Sequence, residues 1–469
     1  MRRTKIVCTI GPATETKTKL THLIKNGMNM ARLNFSHGEH KWFAKTIKNI
    51  RQTAHKLNQP VAILQDLSGP KIRLGHEPAT GIEVKHGDKI DFIYKPKKNS
   101  LKENQFSCRF DLSKYVKKGQ IILVDDGKAQ LEVDKVSPKE HKVSFISQSN
   151  HHLKPNKGIN LPQTPLDIPS LTNKDIKDII FGINYEPEFI ALSFVKKGED
   201  IHRLKKILRK NKVRSNIIAK IETNQAIRNI DEIIKAADGI MIARGDLGLE
   251  IPIEQLPIMQ KIIIQKCLQA HKPVIVATQM LASMTNNPIP TRAEATDVAN
   301  AVFDNVDAVM LSEESAVGNF PIKAVNTLNK ICKITDESLY IKENGLLSLP
   351  ETSQVSSVAH AACQLAMDID AKYIIVPTLS GQSARAVASH KPPMPIIAAS
   401  TNPTVVNQLA LSWGVIPLLT KNKNIENTIA NTINLLTKSR LIKKGDQVVI
   451  VNSSNTNQLE TDQVQLKTI

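Results

Sequence analysis

Two apolar runs, 216–221 and 239–243, end abruptly in charge, the first as Ala219-Lys220-Ile221-Glu222 and the second as Ala243-Arg244-Gly245-Asp246-Leu247-Gly248. Short apolar runs bounded in this way read as buried parallel strands, and polar groups at their C-terminal ends lie where α/β sheets and barrels carry chemistry. Lys220 and Glu222 are two apart and share one face of an extended strand. Asp246 closes the next run, within reach if the strands are neighbours. Two hard carboxylates and an ammonium suit a divalent cation beside a phosphate. Taken singly, each residue reads as a surface ion pair next to a Gly-rich turn; the case rests on the combination.

Other apolar runs end in the same manner. The second gives Ala31-Arg32-Leu33-Asn34-Phe35-Ser36-His37-Gly38, the third Gln65-Asp66-Leu67-Ser68-Gly69-Pro70-Lys71-Ile72-Arg73, the seventh Ala277-Thr278-Gln279-Met280 and the eighth Met310-Leu311-Ser312-Glu313-Glu314. Basic groups, carboxylates and hydroxyls gathered on one rim suit phosphoryl transfer, which asks the protein mainly for positioning and charge neutralisation. Ser312 and Glu314 equally suit a helix cap, and His37 alone says little.

The elements that must position these groups alternate along the chain. Strands are expected at 5–10, 28–35, 61–67, 188–193, 216–221, 239–243, 273–278 and 307–311, with amphipathic helices between them, among them one at 224–236. Eight such pairs predict a (β/α)8 TIM barrel formed by residues 1–69 and 168–343. Residues 70–167 interrupt it with Lys-rich, turn-rich text and short β-like pieces, an inserted small β-barrel lid leaving from the chemical end of the third strand. Hinges fall near Gly69-Pro70 and Leu161-Pro162. A linker at 344–355 leads to a C-terminal open α/β domain, 354–469, with strands at 373–376, 396–399 and 447–451.

The chain has 469 residues, 41% hydrophobic and 23% charged, which argues for several folded domains and against disorder. No window is apolar enough for a membrane helix and the N-terminus lacks a signal h-region, so a cytoplasmic protein is expected. Five cysteines without a C-x-x-C pair read as reduced core thiols. The formal charge of +19 invites nucleic acid, but aromatics are only 4% and the lysines are dispersed. Small anionic substrates are the better match, with no specific nucleic acid and no membrane partner.

Arg32-Leu33-Asn34-Phe35-Ser36-His37-Gly38, Gly69-Pro70-Lys71-Ile72-Arg73, Ala219-Lys220-Ile221-Glu222, Ala243-Arg244-Gly245-Asp246-Leu247-Gly248 and Ala277-Thr278-Gln279-Met280-Leu281 occur in this order. In these motifs the chain resembles the pyruvate kinase family over nearly its whole length. The resemblance implies the barrel, lid and C-terminal regulatory domain already read from the pattern, and transfer of the phosphoryl group of phosphoenolpyruvate to ADP, giving pyruvate and ATP in the last step of glycolysis. It implies that Glu222 and Asp246 hold Mg²⁺ or Mn²⁺, that Lys220 lies against the moving phosphoryl group, and that Arg32 grips the phosphate. Such an ammonium and phosphoryl charge at ~4 Å interact by about 4 kcal/mol at an effective dielectric near 20. Gly245, Asp246 and Thr278 would meet the substrate carboxylate side. Asn34, Ser36, His37, Arg73 and the lid's Lys157 would meet nucleotide phosphates, and Thr278 and Ser312 are candidates for relaying a proton to the enolate. A homotetramer is implied by resemblance alone. Two other readings stay open: another phosphoenolpyruvate-using barrel enzyme, and a catalytically idle member serving as a basic scaffold.

Two departures from the family pattern stand out. Many members hold K⁺ near Asn34, Ser36, Asp66 and the next residue, and carry Thr and Glu where this chain has Leu67 and Lys71. The expectation is that the Lys71 ammonium replaces the ion, as in the K⁺-independent branch, and that K⁺ is not required. In the C-terminal domain, Thr378-Leu379-Ser380-Gly381-Gln382-Ser383-Ala384-Arg385 resembles an effector-phosphate loop, with Thr378, Ser380, Gly381 and Ser383 as candidate contacts. The facing loop at 451–457 is shorter than usual, so loss of regulation is an open alternative.

Overall fold

The structure, a computed structural model, describes residues 2–97, 100–166, 168–342, 346–347, 349, 353–421, 424–453 and 461–469. Eight parallel strands close a barrel: β1 (Lys5–Thr9), β2 (Met30–Asn34), β3 (Ala62–Asp66), β4 (Phe189–Leu192), β5 (Asn216–Ile221), β6 (Gly239–Ala243), β7 (Val274–Ala277) and β8 (Ala308–Leu311). They succeed one another round the barrel in chain order, and β8 pairs back onto β1 through Lys5 opposite Ala308. Nearly every strand residue is buried because both faces are covered. One face packs on surrounding helices, including His40–Lys56, Gly198–Lys210 and Leu256–Gln269. The other fills the barrel with Val7, Met30, Leu64, Phe189, Ile218, Met241, Ile275 and Met310. This filling leaves function to the residues just past the strand ends.

Local chemistry sets the helix starts. Thr172 accepts from the Asp175 amide while the Asp175 carboxylate accepts from the Thr172 amide, which starts helix Asn173–Ile183. Thr291 and Glu294 repeat the arrangement ahead of Arg292–Phe303. The single helix expected at 224–236 is instead two, Asn224–Arg228 and Ile230–Ala236, broken at Asn229, whose ψ of 21° leaves the helical range.

The insertion after β3 has its own core, with Phe92, Phe106 and Phe145 at its centre. It comprises a six-stranded sheet and the pair Ile82–Val84 with His151–Leu153. Its entry is tight: Gly69 has φ +64°, and a Cβ there would come within 2.9 Å of the Ser193 side chain. Only glycine lets the chain cross the end of β4 at this point.

The C-terminal unit is a five-stranded sheet in the order Val415–Leu419, Ile396–Ser400, Tyr373–Pro377, Gln447–Asn452, Gln463–Thr468, parallel except for the last strand. The first and last of these are not expected from the sequence pattern. Val415–Leu419 contains Pro417, which argues against a central strand, and Gln463–Thr468 is an exposed, mostly polar edge. Much of the expected linker and residues 454–457 of the shortened loop lie outside the described residues.

This unit also closes the floor of the barrel. Leu411 joins the cluster inside the barrel, and Lys5 at the start of β1 donates to the Val415 carbonyl at 2.6 Å. Trp413 is buried between Arg3 and Lys391, and Lys391 pairs with Asp307 at 3.2 Å. All five cysteines are free and buried. No described helix is long and apolar enough to cross a membrane.

Candidate active site

At the C-terminal ends of β2, β3 and β5 a buried charge cluster forms. The Asp66 carboxylate accepts from Arg32 Nε at 2.6 Å and faces Lys220 Nζ at 3.4 Å. Lys220 also meets Glu222 at 2.9 Å and donates to Ser193 Oγ at 2.8 Å. The second arm of Arg32 reaches Thr9 Oγ1 at 2.9 Å, so β1 contributes as well. Register accounts for the meeting: Asn34 lies opposite Asp66, and Asp66 opposite Ala191, two residues before Ser193.

The electrostatics arise from burial and crowding. Burial works against the Lys220 charge, but Asp66 and Glu222 outweigh it and hold the pKa above that of a free lysine. Burial likewise opposes the Asp66 charge, and Lys220 and Arg32 outweigh it, so this carboxyl stays below its ordinary value. Glu222 is pushed up: burial is the main cause, with Asp246 adding to it and Lys220 opposing. Glu222 and Asp246 are thus close enough to repel one another, and a cation between them would relieve that repulsion.

Asp246 begins a second group. Its Oδ1 is 3.0 Å from Lys71 Nζ. It sits in the short helix Arg244–Leu247, which is anchored from beneath because Arg244 bonds both oxygens of Asp297, at 2.8 and 2.7 Å, and the Thr278 carbonyl at 2.9 Å. The Gly245 amide donates to Thr278 Oγ1 at 2.7 Å, and that hydroxyl donates to the Ala277 carbonyl at 2.6 Å. Thr278 and Gln279 have φ of +71° and +56°. Left-handed backbone at a β-branched residue is strained, and the surrounding bonds hold it there. At the end of β8, Ser312 makes no side-chain cap bond; instead its amide and that of Leu281 donate to the buried Glu314 carboxylate at 2.7 and 3.2 Å.

The expected nucleotide residues are less convergent. Asn34 Oδ1 accepts from the Ser36 amide at 3.1 Å. His37 is held below its ordinary pKa, first by burial and then by Arg73, Arg32, Lys174 and Lys71. Arg73 donates to the Asn156 carbonyl at 3.1 Å while lying near enough to His37 to act on its charge, and Lys157 pairs within the lid with Asp125 at 2.7 Å. In the monovalent-cation region, the Leu67 carbonyl accepts from Ser193 Oγ at 2.7 Å, and Lys71 makes no hydrogen bond to Asn34, Ser36 or Asp66 among the described residues. In the C-terminal loop, Thr378 Oγ1 accepts from the Gly381 amide at 2.9 Å, Ser380 Oγ accepts from the Gln382 amide at 3.4 Å, and Ser383 Oγ lies 2.5 Å from Thr461 Oγ1.

Sequence reasoning missed Thr9, Ser193, Lys174 and Asp297. Thr9 and Ser193 end or succeed barrel strands just as Arg32 and Asp66 do, so the same signal was present. Lys174 Nζ donates to the Phe35 carbonyl at 2.6 Å and to Ser68 Oγ at 3.3 Å, from a helix start whose sequence, 170–175, reads only as capping residues. Asp297, inside helix Arg292–Phe303, carried no such signal.

Among the described residues, no group of three or more His, Cys, Asp or Glu side chains is arranged to hold a metal. Glu222 and Asp246 alone match a cation that takes one or two carboxylates and completes its shell from substrate and water, as Mg²⁺ does.

Comparison with known proteins agrees with the geometry. Residues 1–325 match the family model for the pyruvate kinase barrel domain, and 356–466 match that for the pyruvate kinase alpha/beta domain. A pyruvate kinase of Geobacillus stearothermophilus is 42% identical over 460 residues, covering 96% of this chain and 77% of its own. One from Clostridium acetobutylicum is 39% identical over 466 residues, covering 97% of each. A crystal structure of a pyruvate kinase from Cryptosporidium parvum superposes with a TM-score of 0.91 at 35% identity, covering 100% of this chain and 96% of that one. The chain therefore belongs to the pyruvate kinase family, and is a phosphotransferase with pyruvate kinase function.

Proposed function

We propose that the rim cluster transfers the phosphoryl group of phosphoenolpyruvate to ADP through a division of roles among its side chains. Arg32, fixed by Asp66 and Thr9, grips the phosphate. Lys220, kept charged by Asp66 and Glu222, lies against the phosphoryl group as it moves and stabilises charge that grows in the transition state. Gly245 offers its amide to the substrate carboxylate in exchange for the bond it makes to Thr278 Oγ1. Glu222 and Asp246 hold Mg²⁺ or Mn²⁺, which when bound neutralises phosphate and enolate oxygens. Asn34, Ser36, His37, Arg73 and Lys157 serve the nucleotide phosphates, the last two once the lid closes. Thr278 and Ser312 pass a proton to the enolate carbon through water, because neither hydroxyl is acidic enough alone.

The observation that carries this reading is the buried pair Lys220–Glu222 beside Asp66 and Asp246: an ammonium kept charged next to two carboxylates close enough to repel one another. The test is pyruvate formation from phosphoenolpyruvate, dependent on both ADP and Mg²⁺. Lys220→Met should lower kcat by at least about a thousandfold while retaining Mn²⁺ binding. A variant turning over within tenfold of the parent sinks the role given to Lys220.

Further parts of the reading have separate support. The divisions at 1–69 with 168–343, 70–167 and 354–469 are favoured by the separate apolar cores of barrel, lid and C-terminal unit. Independence from K⁺ is favoured by the Lys174 ammonium, which donates to the Phe35 carbonyl and Ser68 Oγ just past β2 and β3, whereas the Lys71 ammonium lies on Asp246 and not on Asn34, Ser36 or Asp66. A homotetramer is favoured by exposed Ile258, Ile262 and Phe303 on helices joined through Asp304. A phosphorylated allosteric effector at Thr378, Ser380, Gly381 and Ser383 is favoured by the left-handed Gly381 at the start of helix Gln382–Ser389. A cytoplasmic location fits a glycolytic enzyme with buried free thiols.

A further inference from the structure

Lys71 touches three parts of the molecule at once. It stands two residues beyond the Gly69 crossing, at the entry to the lid. Its aliphatic stem lies against the lid backbone, since a Cβ on Gly158 would sit 2.9 Å from Lys71 Cε. Its ammonium lies 3.0 Å from Asp246 Oδ1 on the barrel. The backbone around it ties the two hinge segments together: the Ile159 amide donates to the Ile72 carbonyl and the Leu74 amide to the Lys157 carbonyl, both at 2.9 Å. The lid meets the same barrel segment at two further points. Gly127 is packed so closely on Leu249 that a Cβ would come within 2.9 Å of its Cδ2, and Asn160 Nδ2 donates to Glu250 Oε1 at 3.5 Å.

We infer that Lys71 is a positioning residue that couples loading of a divalent cation at Asp246 to the seat of the lid. This rests on the reading that Asp246 is a metal ligand. A cation that takes Asp246 Oδ1 meets the ammonium already 3.0 Å from that oxygen, and the two like charges repel at such close contact. Metal binding therefore displaces Lys71 from Asp246. The stem is packed on Gly158, so displacement disturbs the backbone pairing of residues 72–74 with 157–159. A glutamate at position 71 would have no such effect, because it would not compete for the carboxylate.

The test uses the full chain with Mn²⁺ alone, without substrate or nucleotide, and reads two quantities: Mn²⁺ affinity by electron paramagnetic resonance, and amide exchange at Leu74 and Ile159. In the parent, Mn²⁺ should speed exchange at both amides severalfold. Lys71→Met should bind Mn²⁺ about three- to tenfold more tightly and exchange fast with or without the ion, whereas Lys71→Arg should restore the parent response. If Asp246→Asn leaves Mn²⁺ affinity unchanged, the metal assignment fails and the coupling with it. If Asp246→Asn abolishes binding but Lys71→Met matches the parent in both readouts, the coupling alone is overturned. Tighter binding in Lys71→Met with no exchange response to Mn²⁺ in the parent also overturns it, leaving simple repulsion.

Discussion

Replacing Asp66 by asparagine keeps the volume and removes one buried charge. The carboxylate lies 2.6 Å from Arg32 Nε and 3.4 Å from Lys220 Nζ, with only 1% of its side chain exposed. At an effective dielectric near 20 these contacts represent about 6 and 5 kcal/mol of gross attraction. Most of that offsets the burial of three charged groups, and breaking such a cluster from one side costs about 3–5 kcal/mol net. In a barrel of this size the expected loss of thermal stability is about 5–15 °C. The kinetic effect should divide in a readable way. Arg32 loses its tether, so KM for phosphoenolpyruvate rises; Lys220 faces an unbalanced cation and shifts toward Glu222, so kcat falls. A combined loss of about 3 kcal/mol corresponds to about a hundredfold in kcat/KM. Pyruvate formation coupled to NADH oxidation, with calorimetry on the same samples, measures both. Asp66→Asn within threefold of the parent in kcat/KM and unchanged in melting temperature would refute the claim that Asp66 fixes these two cations.

Burial raises the Glu250 carboxyl from 4.5 to about 7, against the Asn160 hydrogen bond and with help from Asp246. A raised carboxyl favours the protonated folded form, so its stabilisation is complete below its unfolded pKa and is lost as pH rises through about 7. Melting curves from pH 4.5 to 7.5 should therefore show a component, at most about 3 kcal/mol, that is absent in Glu250→Gln; identical pH profiles would rule out Glu250 as its source. Turnover should be equal in Na⁺ and K⁺ at matched ionic strength, and strong K⁺ activation would sink the replacement of that ion by lysine. Thr278→Ala should lower kcat about tenfold or more with little change in nucleotide KM, whereas an unchanged kcat would leave the Gly245 amide independent of its hydroxyl partner.

The barrel was legible because a strand buried on both faces must be written as a short apolar run, and the residues just after such a run stand on the rim. That rule is enough to locate Lys220, Glu222, Asp246, Arg32 and Asp66 from sequence alone. It does not say which of them touch. Asp66, read as part of a monovalent-cation region, emerges as the carboxylate between Arg32 and Lys220, because only register across β2, β3 and β5 brings these groups together. Asp297 escaped notice since a carboxylate within an amphipathic helix looks solvated until its partner, here Arg244, is placed. The edge strands of the C-terminal sheet escaped for another reason: half-exposed strands carry proline and polar residues, and the apolar signal fades where one side meets water.

The floor of the barrel has a consequence for how the chain is made. Val7 in the first strand packs in the same cluster as Leu411, more than four hundred residues later. During synthesis at about 5–20 residues per second, all eight barrel strands leave the ribosome well before that leucine does. Through that interval the mouth opposite the active rim stays uncovered, with Lys5 lacking the carbonyl of Val415. Sealing therefore comes after the whole barrel has been made. A chain stopped near residue 342 should therefore hold every catalytic side chain and still be prone to aggregate through its unsealed end.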